Sequence, residues 1–257
     1  MNTIKKSIED LIDDLLNEDD YFEVSKNWKT YYFNGYPVPR VSEILSKTIH
    51  EEFLLQWANG LGYKRKSYTK ERDSSAMKGT YTHELIEQFL HSKYVKTDFN
   101  DIPTEHRFAV YNAYNSFISW YNMVNENMPF RVIETEKQLV CPYFGGTLDC
   151  LAEIDGRTYI IDFKTSNHIT YKYFLQLAAY KYMIENYYNI PITGGVLILW
   201  LNKKDIQYKD YVLDMNNPNH RNIINHNTNT FLSMVYSYYN INRSQDLFNN
   251  EFKGRIV

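Results

Sequence analysis

Two aspartates and a lysine are the residues of this 257-residue chain whose types and spacing best suit chemistry. They lie in FGGTLDCLAEIDGRTYIIDFKTS, residues 144–166. Asp155-Gly156 separates two alternating, β-rich runs, and that dipeptide suits the turn of a two-residue hairpin. With those two residues alone in the loop, Ile154 faces Arg157 and Asp149 faces Asp162. Directly opposed residues hold their Cβ atoms about 4.5–5.5 Å apart on one face. Side chains alternate along a strand, so Lys164 shares the face of Asp162 while Ile161 and Phe163 point the other way. Facing carboxylates repel unless a cation lies between them, and oxygen donors are what Mg²⁺ and Mn²⁺ prefer. The same residues also fit a plainer reading: Asp162 capping a strand end, Lys164 in solvent and Asp149 as an edge charge.

A second cluster sits upstream in THELIEQFL, residues 82–90. His83 and Glu87 are i,i+4 neighbours on a helix, and Ile86 and Leu90 continue the same stripe. Unpaired charge on or beside a core-facing stripe is costly. A metal ion supplied by Asp149 and Asp162 would account for both residues; a satisfied core histidine is the alternative.

Four motifs therefore follow one another: Gly79 with His83 (G-x-x-x-H), Gly146 with Asp149 (G-x-x-D), Asp162 with Lys164 (D-x-K), and Gln176 with Tyr180 (Q-x-x-x-Y). In order and spacing they resemble the RecB-type branch of the PD-(D/E)XK nuclease superfamily. Within it they are most similar to the exonucleases of mitochondrial genome maintenance and their phage relatives. The resemblance runs from about Val38 to Leu201. It implies a metal-dependent DNA exonuclease working on single-stranded or end-bearing DNA in replication, recombination or repair. It further implies that His83, Asp149, Asp162 and the backbone carbonyl of Phe163 hold Mg²⁺ (or Mn²⁺), and that Lys164 activates the attacking water and stabilises phosphorane charge. Glu134 is the expected further carboxylate, with Glu136 the competing choice. Gln176 and Tyr180 would support the site and touch the DNA backbone, although Tyr180 also fits an apolar stripe with Tyr173, Leu177 and Ile184. Iron–sulfur members of the branch need four cysteines; Cys141 and Cys150 are the only two here, so no cluster is expected. The rival readings are an endonuclease of the same superfamily and a catalytically silent DNA-binding module, which would lack Asp149, Asp162 or Lys164.

These residues need a scaffold. Apolar periodicity predicts helices over 4–20, from Ser42 through Trp57 with Gly60 and Gly62 as the stop, over 82–94 and over 105–125. The segment 21–40 reads as irregular. Period-two patterning predicts strands over 132–140, 146–154, 157–164, 195–201 and 207–214, with helices over 171–188 and 219–239. The expected class is α/β: a restriction-endonuclease-like core, a small mixed sheet flanked by helices, with a helical N-terminal elaboration. One domain is expected over 1–257, comprising an extension (1–40), a helical part (41–130), the catalytic sheet and helix (131–215) and a C-terminal helix (216–257).

Composition bounds the rest. At 44% hydrophobic and 23% charged residues, wholesale disorder is excluded. The formal charge of −3 hides an asymmetry, because seven acidic and two basic side chains fall within residues 1–20. Residues 61–80 are the reverse, six basic against two acidic. Lys64, Arg65, Lys66, Lys70 and Arg72, interleaved with Tyr63 and Tyr68, are the expected nucleic-acid contacts, in a connection covering the mouth of the site; a solvated surface is the alternative. Thr165 and Ser166 follow the D-x-K strand and are placed for flanking phosphates, though loop polarity explains them equally well. No apolar run reaches membrane-spanning length and the N-terminus lacks a signal-peptide core, so a cytoplasmic protein without a membrane partner is expected. DNA is the expected partner, with a recombination or single-strand-binding protein as a candidate second one. His50, His91, His106, His220 and His226 are expected on the surface.

Overall fold

A computed structural model describes residues 7–17, 30–50 and 52–252. Five strands form one mixed sheet: β3 (Phe130–Val140), β4 (Gly145–Ile154), β5 (Arg157–Lys164), β6 (Gly195–Leu201) and β7 (Tyr208–Asp214), in that spatial order. Only the β5–β6 pair is parallel, and the connection between them is α6 (Tyr171–Tyr187). A parallel neighbour needs such a crossover, whereas the antiparallel β4–β5 pair needs only the Asp155-Gly156 turn. Both turn residues take left-handed backbones, φ 49° and 70°, as that two-residue turn requires.

Helices cover both faces. Ile160 and Ile198 pack with α2 (Val41–Thr48), α6 and α7 (Pro218–Phe252) in one core. Ile161 and Phe163 pack with α4 (Tyr68–Ser92) and α5 (Thr104–Asn127) in a second. Alternation along β5 thus directs Asp162 and Lys164 toward α6 and Phe163 toward α4. The fold class matches the expectation of a small mixed sheet flanked by helices.

Several boundaries differ from the sequence reading, each for a local reason. The helix expected from Ser42 through Trp57 is two helices, α2 and α3 (Glu52–Tyr63), because Ile49 is extended and buried between them. Gly60 and Gly62 do not stop α3; a helical glycine costs only about 1 kcal/mol relative to alanine, and Leu61 between them is buried. Helix α4 begins at Tyr68 rather than Thr82, with the Ser67 hydroxyl accepting the Lys70 N–H at 3.4 Å. Its first turns are too polar to show an apolar stripe. Helix α7 likewise outruns its stripe, which ends at Tyr239. The supposedly irregular 21–40 contains the hairpin of β1 (Tyr31–Phe33) and β2 (Tyr36–Val38). Its Asn34-Gly35 turn has φ 49° and 87°, an Asn-Gly signal that was present in the sequence. The expected N-terminal helix is α1 (Ile8–Asn17), preceded by Ser7, and residues 4–6 and 18–20 lie outside the described residues.

Of the histidines expected on the surface, one is buried and two others make polar contacts. His106 is buried in α5, its ring 6.4 Å from that of Tyr81. His91 Nε2 lies 2.7 Å from Thr135 Oγ1, and His220 Nδ1 accepts the Asp214 N–H at 3.1 Å. Among the described residues no helix is long and apolar enough to cross a membrane.

Candidate active site

The β4–β5 ladder runs from Ile154↔Arg157 to Cys150↔Ile161, the register that the two-residue turn dictates. The next opposed pair would be Asp149 and Asp162, and there the ladder ends. Instead, the Asp149 carboxylate accepts the backbone N–H of Phe163 at 2.8 Å. Asp162 is 1% exposed, and Lys164 Nζ sits 2.8 Å from its Oδ1 and 2.6 Å from its Oδ2. Lys164 Nζ also approaches Gln176 Oε1 at 3.3 Å, and Gln176 Nε2 donates to the Tyr180 hydroxyl at 3.0 Å. The two α6 residues, one helical turn apart, thus hold the lysine from behind. Gly146 is part of the same packing: a Cβ there would lie 2.6 Å from Tyr180 Cε1. The G-x-x-D glycine is the space that the Q-x-x-x-Y tyrosine fills.

Helix α4 supplies the other side. His83 Nε2 donates to the Phe163 carbonyl at 2.9 Å, and its Nδ1 lies 3.6 Å from Asp149 Oδ2 and 3.9 Å from Glu136 Oε1. Donor atoms of His83, Glu136 and Asp149 all fall within 4.8 Å of one another. Pairs flanking it on β3 and β4, Thr135↔Cys150 and Lys137↔Leu148, set Glu136 across from Asp149. It reaches there on a left-handed backbone, φ 45°, a conformation costing about 1–3 kcal/mol in a non-glycine residue. An imidazole with two carboxylates, beside the Phe163 carbonyl that the same imidazole engages, is a donor set that fits a hard or borderline divalent cation.

Two of the expected residues lie apart from this group. Glu134 is not in the group: it pairs with Leu151, deeper along β4, and its carboxylate holds Lys137 at 2.6 Å. Glu136, the competing choice, lies within it. Asp162 is not among the clustered donors either, because its buried carboxylate takes the nearest buried cation, Lys164.

A profile described as the PD-(D/E)XK nuclease superfamily matches residues 52–237, more than two thirds of the chain. The chain belongs to the PD-(D/E)XK nuclease superfamily. Members are typically nucleases that act on DNA and generally use divalent metals. A solved structure titled "Crystal structure of SSO0001" is similar at 14% identity and a TM-score of 0.26, over 58% of this chain and 82% of that one. A likeness so slight supports no assignment. Among curated proteins, none matches significantly.

The electrostatics of this PD-(D/E)XK site are lopsided. Burial pulls the His83 imidazole toward neutrality, but the neighbouring Asp149 and Glu136 side chains together outweigh it, raising the pKa to about 9. Burial raises Asp162 to about 6 even though Lys164 pulls it down. Burial also opposes the Lys164 charge, yet Asp162 and Asp149 win, leaving the ammonium above its ordinary value. His83 and Lys164 are both held as cations at neutral pH, packed against the side chains of Asp149, Glu136 and Asp162. A cleft of about 390 Å³ opens on it, lined by Gly79, Thr80, Glu84 and Glu87 beside the three clustered donors.

The basic stretch is part turn and part helix. Lys64, Arg65 and Lys66 form the turn between α3 and α4, and Lys70 and Arg72 stand on the opening turns of α4. Lys66 pairs with Glu71 at 3.0 Å and Arg72 with Asp73 at 2.9 Å, so part of its charge is neutralised within the stretch. None of these five lines the acidic cleft. Thr165 is buried, while the Ser166 hydroxyl donates to the His168 carbonyl at 2.8 Å.

Proposed function

We propose that this chain hydrolyses DNA phosphodiester bonds with a divalent ion, Mg²⁺ or Mn²⁺, as an exonuclease of the RecB-type branch acting on single-stranded or end-bearing DNA. One observation carries the reading. The backbone of Phe163 joins the two halves of the site, its N–H on Asp149 and its carbonyl on His83, while its chain neighbours are the Asp162–Lys164 pair. A cation-binding group and a fixed ammonium are thereby set side by side on one rigid strand end.

His83, Glu136 and Asp149 would hold the ion, with the Phe163 carbonyl in reach and Asp162 adjoining. When bound, such an ion lowers the pKa of a water and neutralises charge on the scissile phosphate. Lys164 places positive charge where the phosphorane becomes more negative, and its position costs no rearrangement during reaction, because Asp162 and Gln176 already orient it. Tyr180 acts one step back, fixing Gln176.

The assay is digestion of end-labelled single- and double-stranded DNA, linear and closed circular, with Mg²⁺, Mn²⁺ or EDTA. Metal-dependent release of terminal nucleotides from linear strands, lost in Asp162→Asn and Lys164→Met, supports the reading. Efficient cutting of closed circles would establish the endonuclease instead. Binding without cleavage in either metal would establish the silent module.

A further inference from the structure

We propose that a single DNA strand leaves the active site through a basic, aromatic cleft between α3 and the segment 166–173, with Trp57 as a platform for an unpaired base and Lys172 and Lys203 as phosphate contacts. The proposal rests on the nuclease reading and adds a strand path that differs from the 64–72 stretch.

The cleft has a volume of about 650 Å³ and opens into a second recess of about 380 Å³, with Ser166, Asn167, His168 and Lys203 common to both. Among the described residues, no aspartate or glutamate lines either one. The cleft over the cation-binding group is the opposite, with Glu84, Glu87, Glu136 and Asp149 around it. The active site thus separates an acidic recess suited to a cation from a basic groove suited to a polyanion.

The two lie next to each other. Tyr173 lines the basic cleft, and its ring centroid is 4.8 Å from Lys164 Nζ. Helix α4 borders both recesses, with Ser75 in the basic one and Gly79, Thr80 and His83 in the acidic one. At 1.5 Å rise per residue, Ser75 and His83 are about 12 Å apart along the helix, so a strand bound over the site reaches the cleft within a short span.

The lining supplies what an unpaired strand needs. Trp57 is 36% exposed, and Tyr68 meets it edge-on with centroids 5.1 Å apart, fixing the ring. Lys203 is half-buried near Lys78, and both burial and that like charge hold its pKa below the usual lysine value. A phosphate brought against Lys203 offsets both penalties. The wall is stiff, because Trp200 Nε1 donates to the Ser166 carbonyl at 2.7 Å and the Ser166 hydroxyl donates onward to His168. Aromatic platforms flanked by lysines stack bases of any sequence, and only bases not buried in a duplex. Single-stranded DNA is therefore the occupant.

The test is fluorescence anisotropy of a short labelled oligothymidylate in EDTA, against an abasic strand of equal length and a blunt duplex. Trp57→Ala should weaken oligothymidylate binding about tenfold or more and abolish the preference over the abasic strand. Trp57→Phe should retain most of that preference, which separates stacking from a folding defect. Lys203→Gln and Lys172→Gln should each reduce the salt slope by about 0.7. Mn²⁺ binding should be unchanged in all four variants. If the wild type binds and cuts DNA while these variants bind like it, the strand path is overturned and the nuclease reading stands. Equal loss of duplex binding in Trp57→Ala also overturns it. A wild type that neither binds nor cuts DNA overturns both.

Discussion

The imidazolium of His83 makes metal binding a proton-coupled event, and its size follows from the geometry. Nδ1 is 3.6 Å from Asp149 and 3.9 Å from Glu136, and the ring titrates near 9. A ligating histidine must be neutral. At pH 7, two units below about 9, only about one molecule in a hundred presents the neutral ring. Apparent affinity for a divalent ion should therefore be about a hundredfold below its high-pH limit, rising about tenfold per pH unit until near pH 9. Each ion bound at pH 7 should release close to one proton. Titration calorimetry of metal-free protein with Mn²⁺, repeated in buffers of different ionisation enthalpy, reads that proton directly. Asp162, near 6, is ionised at the start of this range and adds little to it. His83→Gln should bind more weakly, with no proton released and a flat profile. The sign for stability runs the same way. Because the folded pKa is raised above 6.5, His83 stabilises the metal-free protein below that pH, and the contribution is lost as pH rises through about 9. A wild-type affinity constant from pH 6.5 to 9 with no buffer-dependent heat would refute the placement of His83 among the ligands.

Other consequences are as sharp. Lys164→Met strands a buried carboxylate and Asp162→Asn a buried ammonium; urea unfolding should show each single variant losing about 3–5 kcal/mol, tempered where Asp162 can protonate. The double variant should regain most of that stability but no activity, and an uncoupled cycle would disprove the pairing. Glu136→Gln should weaken Mn²⁺ binding about tenfold or more, the free-energy scale of one lost charged ligand, whereas Glu134→Gln should lose only its contact with Lys137; equal effects in calorimetry would refute the choice of Glu136. Gly146→Ala presses a Cβ into the Tyr180 ring, so it should destabilise by about 1–3 kcal/mol. It should also lower kcat more than KM by loosening Gln176; wild-type kcat in a folded Gly146→Ala protein would show that the Tyr180–Gln176 support is idle.

What the sequence determined by itself is local. Asp155-Gly156 is a turn whose backbone demands are met by those two residues alone, so the register of β4 on β5 follows from adjacent residues. From that register came Asp149 beside the D-x-K strand, and from helical spacing came His83, whereas Gln176 and Tyr180 came from the resemblance of their motif to a known family. What tertiary structure decided is everything that depends on which distant groups share a buried space. Glu134 and Glu136 share one face in a regular strand, so alternation cannot choose between them; the pairing of β3 with β4 and the left-handed Glu136 backbone do. Facing aspartates read as a shared cation site, yet burial hands Asp162 to Lys164, because a charge removed from water takes the nearest opposite charge. The length of α4 was hidden because its first turns face solvent and carry no apolar stripe. The basic cleft was hidden because Trp57, Lys172 and Lys203 lie far apart in the chain and meet only as walls of one cleft. Short-range backbone preferences are written in neighbouring residues; the partners of buried charges are set by packing.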